Sequence, residues 1–569
     1  MKKEIIFKSI KISSVVISIF NLLMFFAMRC CWSGISKTLG YEKTYNQFIL
    51  DLPIYVCVLF FLVCLANLIL FVFLKKRNIW SIPFLFFDIV FLIVNMVIID
   101  MGAKDYLYFI WPEFFKSVGI LVLVLIAIFF IFYYQKTPLK ESKVFKFSLI
   151  SIILLASVAH LVKFSINSIT YEPVVYAVED TYQIVFSSSS DSLAWVKVGD
   201  KTYYQTNAGS QTSYTKIHKV IVPMEELNKE KEYSIHIQKL IYRGPFGGIK
   251  DKEISSSYSF RPVDSSDGFT YYSLSDIHME TNGSVKAASY NNEKEFLVIN
   301  GDVISMVDSF SDANYVNKVA FEITKGEIPV VYARGNHELK GKYAEEFASF
   351  VGSKNGNFYY NFYLDKIYGI VLDIGEDHDD DYWEYYGTAC YDDYRNEQLN
   401  FLNREIEEQN YKNYDYRLAV CHIPIVFVNS RKNHEAFKKE CTTLLNNMDI
   451  DISLCGHQHE IMVFEPNKVN PFETLTYNPD YKKGKYKGYL TDFNFPNLMI
   501  SKRGYTQTDS SSLTISSQIG LSIKVDFINN KQICSYNNSK GELINVVNPF
   551  ANIDYGNTIE IDLNTKLFA

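Results

Sequence analysis

The most constraining feature of this sequence is a set of five short apolar runs, each of which ends in a cluster of polar residues. The runs are TYYSLS, EFLVIN, PVVYAR, RLAVC and DISLC. Helical stretches separate them, for example 394–410, where Leu399, Leu402 and Ile406 recur at helical spacing. The alternation predicts an α/β layout, in which the carboxyl ends of the strands line one crevice.

The polar clusters share one chemical type, because each offers carboxylate, imidazole or amide groups. They contain Asp276, His278, Asp302, Asn336, His337, Glu338, His422, His457 and His459. Oxygen and imidazole ligands together suit Mn, Fe or Zn. Two such cations, about 3.5 to 4 Å apart, need a shared carboxylate and form a clamp for in-line displacement at phosphorus. One Asp or His at a strand end is usually structural, but five clusters with the same placement favour a metal site.

The order of the motifs DIH, GDV, GNHE, CHIP and GHQH resembles that of the calcineurin-like metallophosphoesterases, over roughly residues 268–540. The resemblance implies two divalent or trivalent metal ions (Mn, Fe or Zn). It implies a first metal held by Asp276, His278, Asp302 and His459. It implies a second metal held by Asn336, His422 and His457, with Asp302 as the bridge.

The resemblance also implies roles for two residues beside the metals. His337 is expected over the substrate, where it steadies the phosphoryl oxygens or protonates the leaving oxygen, and Arg334 is expected to touch phosphate. The expected reaction is the attack of a metal-bound hydroxide on the phosphorus of a phosphomonoester or phosphodiester. Three residues after the bridging Asp, where purple acid phosphatases have Tyr and the Ser/Thr phosphatases have Asp, this chain has Ser305. A ferric–tyrosinate centre is therefore not expected.

Residues 171–263 change to a period of two, with seven runs rich in Val, Ile, Tyr and Thr between turn residues. Seven short strands predict an antiparallel sandwich of the immunoglobulin or fibronectin kind. A sandwich that precedes a GNHE motif also resembles the arrangement of the purple acid phosphatases. Such a sandwich carries no chemistry of its own, and we expect it to act as a spacer and a wall for the next domain.

Apolar residues crowd into the first 165 positions. The five long runs are 12–28, 52–74, 79–99, 117–134 and 147–162. Runs of this length predict five transmembrane helices, and the lysines between them predict a cytoplasmic amino terminus. Asp88 lies within the third run, where it either makes a packing hydrogen bond with Asn67 or Asn95 or serves transport or sensing.

These patterns together predict a multi-domain chain. A membrane domain of five transmembrane helices (1–165) precedes an all-β sandwich (166–265). A four-layer αββα metallophosphoesterase domain (268–545) and a carboxyl-terminal extension (546–569) follow. The predicted location is the cell membrane, multi-pass, with the catalytic domain outside the cytoplasm.

The predicted function is that of a membrane-anchored metal-dependent phosphoric ester hydrolase, with a phosphoester substrate and the lipid bilayer as partners. One alternative is a non-catalytic membrane receptor that binds a ligand in a hydrolase-like domain. Another is a transporter in which Asp88 couples transport to hydrolysis. The 56 basic and 63 acidic side chains leave a net charge of −7, which excludes nucleic acid as an expected partner. The sequence leaves the oligomeric state open.

An acidic stretch near 376–393 is the last distinctive segment. It contains Glu376, Asp377, Asp379, Asp380, Asp381 and Glu384, with His378 among them. Such a run is typical of a solvated loop, and we expect it to rim the cleft. The alternative is that it steers cations or recognises a positively charged group of the substrate.

Overall fold

A computed structural model of the chain shows two compact units, Met1–Ile166 and Asn167–Ala569. The residues that the structure describes are 16–21, 23, 86, 88–90, 92, 93, 167–207, 209, 211–243, 248–429, 434–477, 486–500, 503–508, 512–548 and 553–568. Of the first unit, only short helical pieces belong to this set.

The prediction of five transmembrane helices needs correction. Within the described residues, no helix is both long and apolar enough to cross a bilayer. Most positions of the five predicted spans lie outside the described residues. The predicted multi-pass membrane location depended on those helices, so both predictions are wrong. The physical reason is that a long apolar run shows that a segment is buried, but its hydropathy alone does not show what buries it.

Asp88 is buried, and two of its hydrogen bonds lie within the described residues. Ser18 donates from Oγ to Oδ2 of Asp88 over 2.8 Å, and Asn21 donates to the Asp88 backbone carbonyl over 2.7 Å. The carboxylate is therefore a hydrogen-bond acceptor; Asn67 and Asn95, its predicted partners, lie outside the described residues.

The second unit begins with antiparallel strands that carry Val, Ile and Tyr on their buried face. The elements are β1 (Ile169–Val178), β2 (Thr181–Val198), β3 (Lys201–Tyr204), β4 (Thr206–Asn207), β5 (Gln211–Thr212), β6 (Thr215–Pro223), α1 (Met224–Glu230), β7 (Glu232–Arg243) and β8 (Gly248–Ser259). Two predicted runs merge in β2, whose first half pairs with β1 and β6 and whose second half pairs with β3 and β7.

The α/β part follows at Gly268. Its helices are α2 (Thr281–Ser289), α3 (Phe310–Ala313), α4 (Tyr315–Thr324), α5 (Tyr391–Glu408) and α6 (Glu435–Asn447). Its strands are β9 (Gly268–Leu274), β10 (Phe296–Asn300), β11 (Val330–Ala333), β12 (Tyr360–Leu364), β13 (Ile367–Leu372), β14 (Tyr416–Cys421), β15 (Phe427–Asn429), β16 (Ile452–Cys455), β17 (Met462–Phe464), β18 (Leu475–Tyr477), β19 (Tyr486–Leu490), β20 (Asn497–Met499), β21 (Arg503–Thr508), β22 (Ser512–Asp526), β23 (Lys531–Asn538), β24 (Val546–Asn548), β25 (Ile553–Gly556) and β26 (Ile559–Asp562). Short 3-10 helices lie at Asn336–Leu339, Phe347–Ser349, Trp383–Tyr385 and Asn410–Asn413.

Two sheets carry the site. In the larger one, β9, β10 and β11 are parallel, and β22 pairs antiparallel with β9. β1 pairs parallel with β11 at Tyr176 and Val330, so that the sheet continues into the strands before residue 260. In the smaller sheet, of order β12-β13-β14-β16-β20-β17, the strands β13, β14, β16 and β20 are parallel.

Alternate residues of the smaller sheet face two different apolar cores. Ile367 and Val371 pack with residues of the larger sheet, including Leu274 and Ile299. The intervening Tyr368, Ile370 and Leu372 pack with helices α5 and α6. This period of two is what a strand buried on both faces requires. Because both faces are covered, the carboxyl ends of the strands are left to carry polar groups.

Candidate metal centre

The five predicted polar clusters lie in the loops that follow parallel strands. Asp276 and His278 follow β9, Asp302 follows β10, Asn336 and His337 follow β11, His422 follows β14, and His457 and His459 follow β16. Residues far apart in the sequence therefore meet at one edge of the two sheets, as the strand-end rule predicts.

A first group consists of Asp276, His278, Asp302 and His459, whose potential ligand atoms all lie within 4.8 Å of one another. The Nε2 atoms of His278 and His459 are 3.2 Å apart, and His459 Nε2 is 3.2 Å from Asp276 Oδ1. His278 Nε2 is 3.8 Å from Asp302 Oδ2. These atoms converge on one point, as the ligands of a single cation do.

A second group consists of Asp302, His422 and His457, again within 4.8 Å. Nε2 of His422 is 3.1 Å from Asp302 Oδ2, and Nδ1 of His457 is 3.1 Å from Asn336 Oδ1. The structure thus brings together the seven residues predicted as metal ligands. Asp302 belongs to both groups, which is the position of a bridging carboxylate.

Buried polar atoms test whether these residues fit a cation. Asp276 Oδ1 and His422 Nε2 are buried and make no well-directed hydrogen bond among the described residues, although His459 Nε2 lies 3.2 Å from the first atom and Asp302 Oδ2 lies 3.1 Å from the second. The other nitrogen of His422, Nδ1, is 2.7 Å from the Asn300 backbone carbonyl, and this contact directs Nε2 toward Asp302. Buried polar atoms without a well-directed hydrogen bond are costly, and a cation held by each group would satisfy them. The donor set therefore fits metal ions.

The backbone of the ligand loops is strained where it presents these side chains. Positive φ angles occur at Asp276 (53°), His278 (42°), Asp302 (53°), His457 (70°) and His459 (59°). Non-glycine residues in this region cost on the order of 1 kcal/mol or more each, and they cluster at functional sites. Five of the seven predicted ligands thus adopt this conformation, which other non-glycine residues of the described chain also adopt.

Two glycines allow the close approach of these loops. Gly301 has a φ of +72°, and a Cβ there would lie 2.6 Å from Cγ of His422. A Cβ on Gly335 would lie 2.2 Å from Asp302 Oδ1. Side chains at either position would push His422 or Asp302 out of place, which explains the glycines of the GDV and GNHE motifs in physical terms.

Burial alone would raise the pKa of Asp302, but the adjacent His422 outweighs it and holds the pKa below its ordinary value. Burial lowers the pKa of His422, whereas the Asp302 charge raises it to about 10. The carboxylates therefore make the pocket attractive to positive charge. A bound metal would take the place of the imidazole protons.

His337 lies at the edge of the pocket, and its side chain is 32% exposed. Nδ1 of His337 donates to the backbone carbonyl of Ser305 over 2.9 Å, and Nε2 lies 3.9 Å from Asp302 Oδ2. The residue that replaces the family's Tyr or Asp thus still orients His337, through its carbonyl. Nε2 remains directed toward the pocket.

Arg334, which is predicted to touch phosphate, contacts a carboxylate and an aromatic ring. Its Nε donates to Asp373 Oδ2 over 2.8 Å, Nη2 lies 2.6 Å from the same oxygen, and the guanidinium stacks 4.2 Å from the Phe358 ring centroid. The side chain is 12% exposed. The structure therefore pairs Arg334 with a buried carboxylate, and a contact of Arg334 with phosphate stays a prediction.

Glu338, the last residue of GNHE, has a structural part in the site that the sequence did not reveal. It is fully buried, and its carboxylate accepts hydrogen bonds from the backbone N–H groups of Asp302 (3.0 Å), Val303 (2.7 Å) and Gly335 (2.9 Å). Burial and the nearby Asp302 charge raise the pKa of Glu338 to about 7. Glu338 thus ties the loop of Asp302 to the loop of Asn336.

Two residues of the acidic stretch also reach the site. Asp377 Oδ2 is 2.7 Å from His457 Nε2, and Glu376 Oε1 accepts a hydrogen bond from Asn336 Nδ2 over 2.6 Å. The stretch was predicted to be a solvated loop, which describes exposed members such as Asp381 but not these two. The available signal was their place just after the apolar run IYGIVL, which forms β13 and was not among the five predicted runs.

Comparison with known proteins agrees with this geometry. Residues 269–460 match the family model described as "Calcineurin-like phosphoesterase". The segment is a calcineurin-like metallophosphoesterase domain with a candidate site for divalent metal ions. A search of the curated proteins found no significant match.

Several solved structures are similar to the chain at low identity. The purple acid phosphatase PPD1 from yellow lupin (Lupinus luteus) seeds has 14% identity and a TM-score of 0.42, with 66% of this chain and 73% of that chain covered. A structure of PhoD has 10% identity and a TM-score of 0.39, with 70% and 91% covered. A dimetal phosphatase from Danio rerio has 11% identity and a TM-score of 0.32, with 49% and 98% covered.

Proposed function

We propose that this protein is a metal-dependent phosphoesterase that hydrolyses a phosphomonoester or a phosphodiester at a dinuclear metal centre. The observation that carries the proposal is the membership of Asp302 in both ligand groups, with Asp276 Oδ1 and His422 Nε2 buried on either side of it. One carboxylate shared by two groups of oxygen and nitrogen donors suits a pair of cations.

Asp276, His278, Asp302 and His459 would hold one cation, and Asp302, Asn336, His422 and His457 would hold the other. Bound there, Mn, Fe or Zn ions would lower the pKa of a water molecule and neutralise charge on a phosphoryl group. The buried Asp302 fixes the separation of the two groups, because it is held at two points. Its backbone N–H donates to the Glu338 carboxylate, and its Oδ1 accepts from the backbone N–H of His337 over 3.0 Å.

His337 is the residue that would face the substrate. Its Nδ1–H donates to the Ser305 carbonyl, so that Nε2 is the ring nitrogen at the pocket edge. In the doubly protonated ring, Nε2–H would donate to a phosphoryl oxygen or a leaving oxygen. Partial exposure of this side chain allows a substrate to reach it, whereas the carboxylates of Asp276 and Asp302 are buried.

The test is metal analysis combined with hydrolysis of a panel of chromogenic phosphomonoesters and phosphodiesters. We expect the wild-type chain to bind two metal ions and to hydrolyse at least one ester class. Asp302→Ala should abolish turnover. Ser305→Ala is the matched control in the neighbouring loop, because its side chain is exposed and only its backbone carbonyl contacts His337. Full activity in Asp302→Ala, or a metal-loaded wild type that hydrolyses neither class, would overturn the proposal.

A further inference from the structure

The acidic segment after β13 differs in burial from one residue to the next. Glu376 is 6% exposed, whereas Asp379, Asp380 and Asp381 are not buried. β13 pairs parallel with β14, the strand that leads to His422, so the segment leaves the smaller sheet at the same edge as the ligand loops. A sixth strand end therefore supplies side chains to the metal centre.

His457 contacts both sides of this edge through its two ring nitrogens. Nε2 is 2.7 Å from Asp377 Oδ2, and Nδ1 is 3.1 Å from Asn336 Oδ1. An ionised carboxylate only accepts hydrogen bonds, so Nε2 carries the hydrogen in this contact. Nδ1 is then the nitrogen left for a cation, and Asp377 fixes both the tautomer and the orientation of the ring.

Glu376 acts on the neighbouring ligand in the same way. Its Oε1 accepts from Asn336 Nδ2 over 2.6 Å, which directs Asn336 Oδ1 away from Glu376 and toward His457. Lys340 Nζ lies 3.0 Å from Glu376 Oε2 and offsets its charge. An amide can bind a cation only through its oxygen, so this contact selects the useful orientation of Asn336.

Two buried side chains, Arg395 and His434, hold the backbone of the segment. Arg395 of α5 donates from Nε to the Ile374 carbonyl over 2.9 Å and from Nη2 to the Glu376 carbonyl over 3.2 Å. Nε2 of His434 lies 2.9 Å from the same Glu376 carbonyl. These contacts hold Glu376 and Asp377 rigidly enough to orient other side chains.

We propose that Asp377 and Glu376 are positioning residues for the second cation, acting through His457 and Asn336 respectively. The inference rests on the proposed function in one premise, that His457 and Asn336 bind the second cation. It assigns to the acidic segment a part in the affinity of the second group for its cation. The affinity of the first group should not depend on the segment, because Asp276, His278 and His459 have other neighbours.

The decisive measurement is titration of the metal-free full chain with Mn²⁺ or Zn²⁺ by calorimetry, with metal content determined independently. In Asp377→Ala, the dissociation constant of the second ion should rise about 10- to 100-fold, while that of the first stays within a few-fold of wild type. Asp377→Asn keeps the shape of the side chain and an acceptor oxygen, so its dissociation constant for the second ion should lie between those of Asp377→Ala and wild type. Glu376→Gln tests Asn336 in the same titration.

Asp381→Ala is the control, since it removes an exposed carboxylate from the same segment. Unchanged affinity for both ions in Asp377→Ala, or an equal loss at both, would overturn the inference. Thermal unfolding of each variant identifies a folding defect. If Asp377→Ala has one, the second-ion affinity of Asp377→Asn decides whether the inference holds. The outcome is separate from catalysis: a wild type that binds two ions but hydrolyses no ester refutes the proposed function and leaves this inference standing.

Discussion

Nε2 of His278 lies 3.2 Å from Nε2 of His459, although 181 residues separate them in the sequence. Two imidazole nitrogens that face each other at this distance either share the hydrogen of one ring's N–H group or both direct their lone pairs at a metal ion. Asp276 Oδ1, which is 3.2 Å from His459 Nε2, completes an arrangement that a cation would stabilise.

Metal removal should therefore destabilise the protein. A cation that binds only the folded state at 100 times its dissociation constant adds about 2.7 kcal/mol to the free energy of unfolding. We expect a chelator to lower the melting temperature and Mn²⁺ or Zn²⁺ to restore it. In Asp276→Asn, added metal should restore much less, whereas Asp393→Asn on the exposed face of α5 should behave as wild type. Equal metal-dependent stabilisation of Asp276→Asn would contradict Asp276 as a ligand.

Replacing His337 should slow the chemistry and leave the metals in place. If Nε2 of His337 donates a proton to the leaving oxygen, His337→Ala should lower kcat by about 10²- to 10⁴-fold for an alkyl phosphoester. The loss should be smaller for a nitrophenyl ester, because its leaving oxygen needs no proton. A comparison of kcat for the two esters, at matched metal content, checks this. Equal losses for both esters would indicate that His337 steadies the phosphoryl oxygens instead.

Glu338→Gln should destabilise the ligand loops. Both carboxylate oxygens accept backbone hydrogen bonds, Oε1 from Val303 and Oε2 from Asp302 and Gly335. A Gln side chain turns a donor toward one of these N–H groups. At pH 8, where the Glu338 carboxyl with its pKa near 7 is mostly ionised, the free energy of unfolding should fall by about 1–3 kcal/mol. Urea unfolding measures it, and Glu322→Gln on exposed α4 surface is the control.

Much of the α/β part was predictable because its signals are local and repeated. Leu399, Leu402 and Ile406 recur at helical spacing, and the helix predicted there is confirmed as Tyr391–Glu408. The convergence of distant Asp and His residues followed from one rule about strand ends. That rule needs no knowledge of side-chain packing, which is why the positions of His278 and His459 could be anticipated.

The remaining features depend on which partner a residue finds in three dimensions. Asp373 neutralises Arg334, and Asp377 reaches His457, yet neither pairing leaves a pattern in the sequence. The parallel pair of β1 with β11 joins segments that the sequence divides at a change of period. The amino-terminal runs show how apolar those segments are, and this property alone does not specify a structure for them.

The strands before residue 260 carry a pH-sensitive group of their own. His218 of β6 is fully buried; its Nε2 is 2.9 Å from Ser188 Oγ and its ring packs 5.1 Å from that of Phe186. Burial lowers the pKa of His218 to about 3. The unfolded chain, with an ordinary imidazole pKa of about 6.5, therefore binds a proton that the folded chain does not bind until the pH is near 3.

The sign of the effect follows from this difference in proton binding. Below the unfolded pKa, stability is lost as the pH falls toward the folded pKa, and from pH 7 to pH 5 the loss due to His218 should be about 2 kcal/mol. His218→Gln removes the titration, so the variant should lose about 2 kcal/mol less than wild type over the same interval. Urea unfolding of the full chain at both pH values measures the difference. Equal losses of unfolding free energy in the two proteins would contradict the prediction. They would show that His218 binds its proton in the folded state as readily as in the unfolded state.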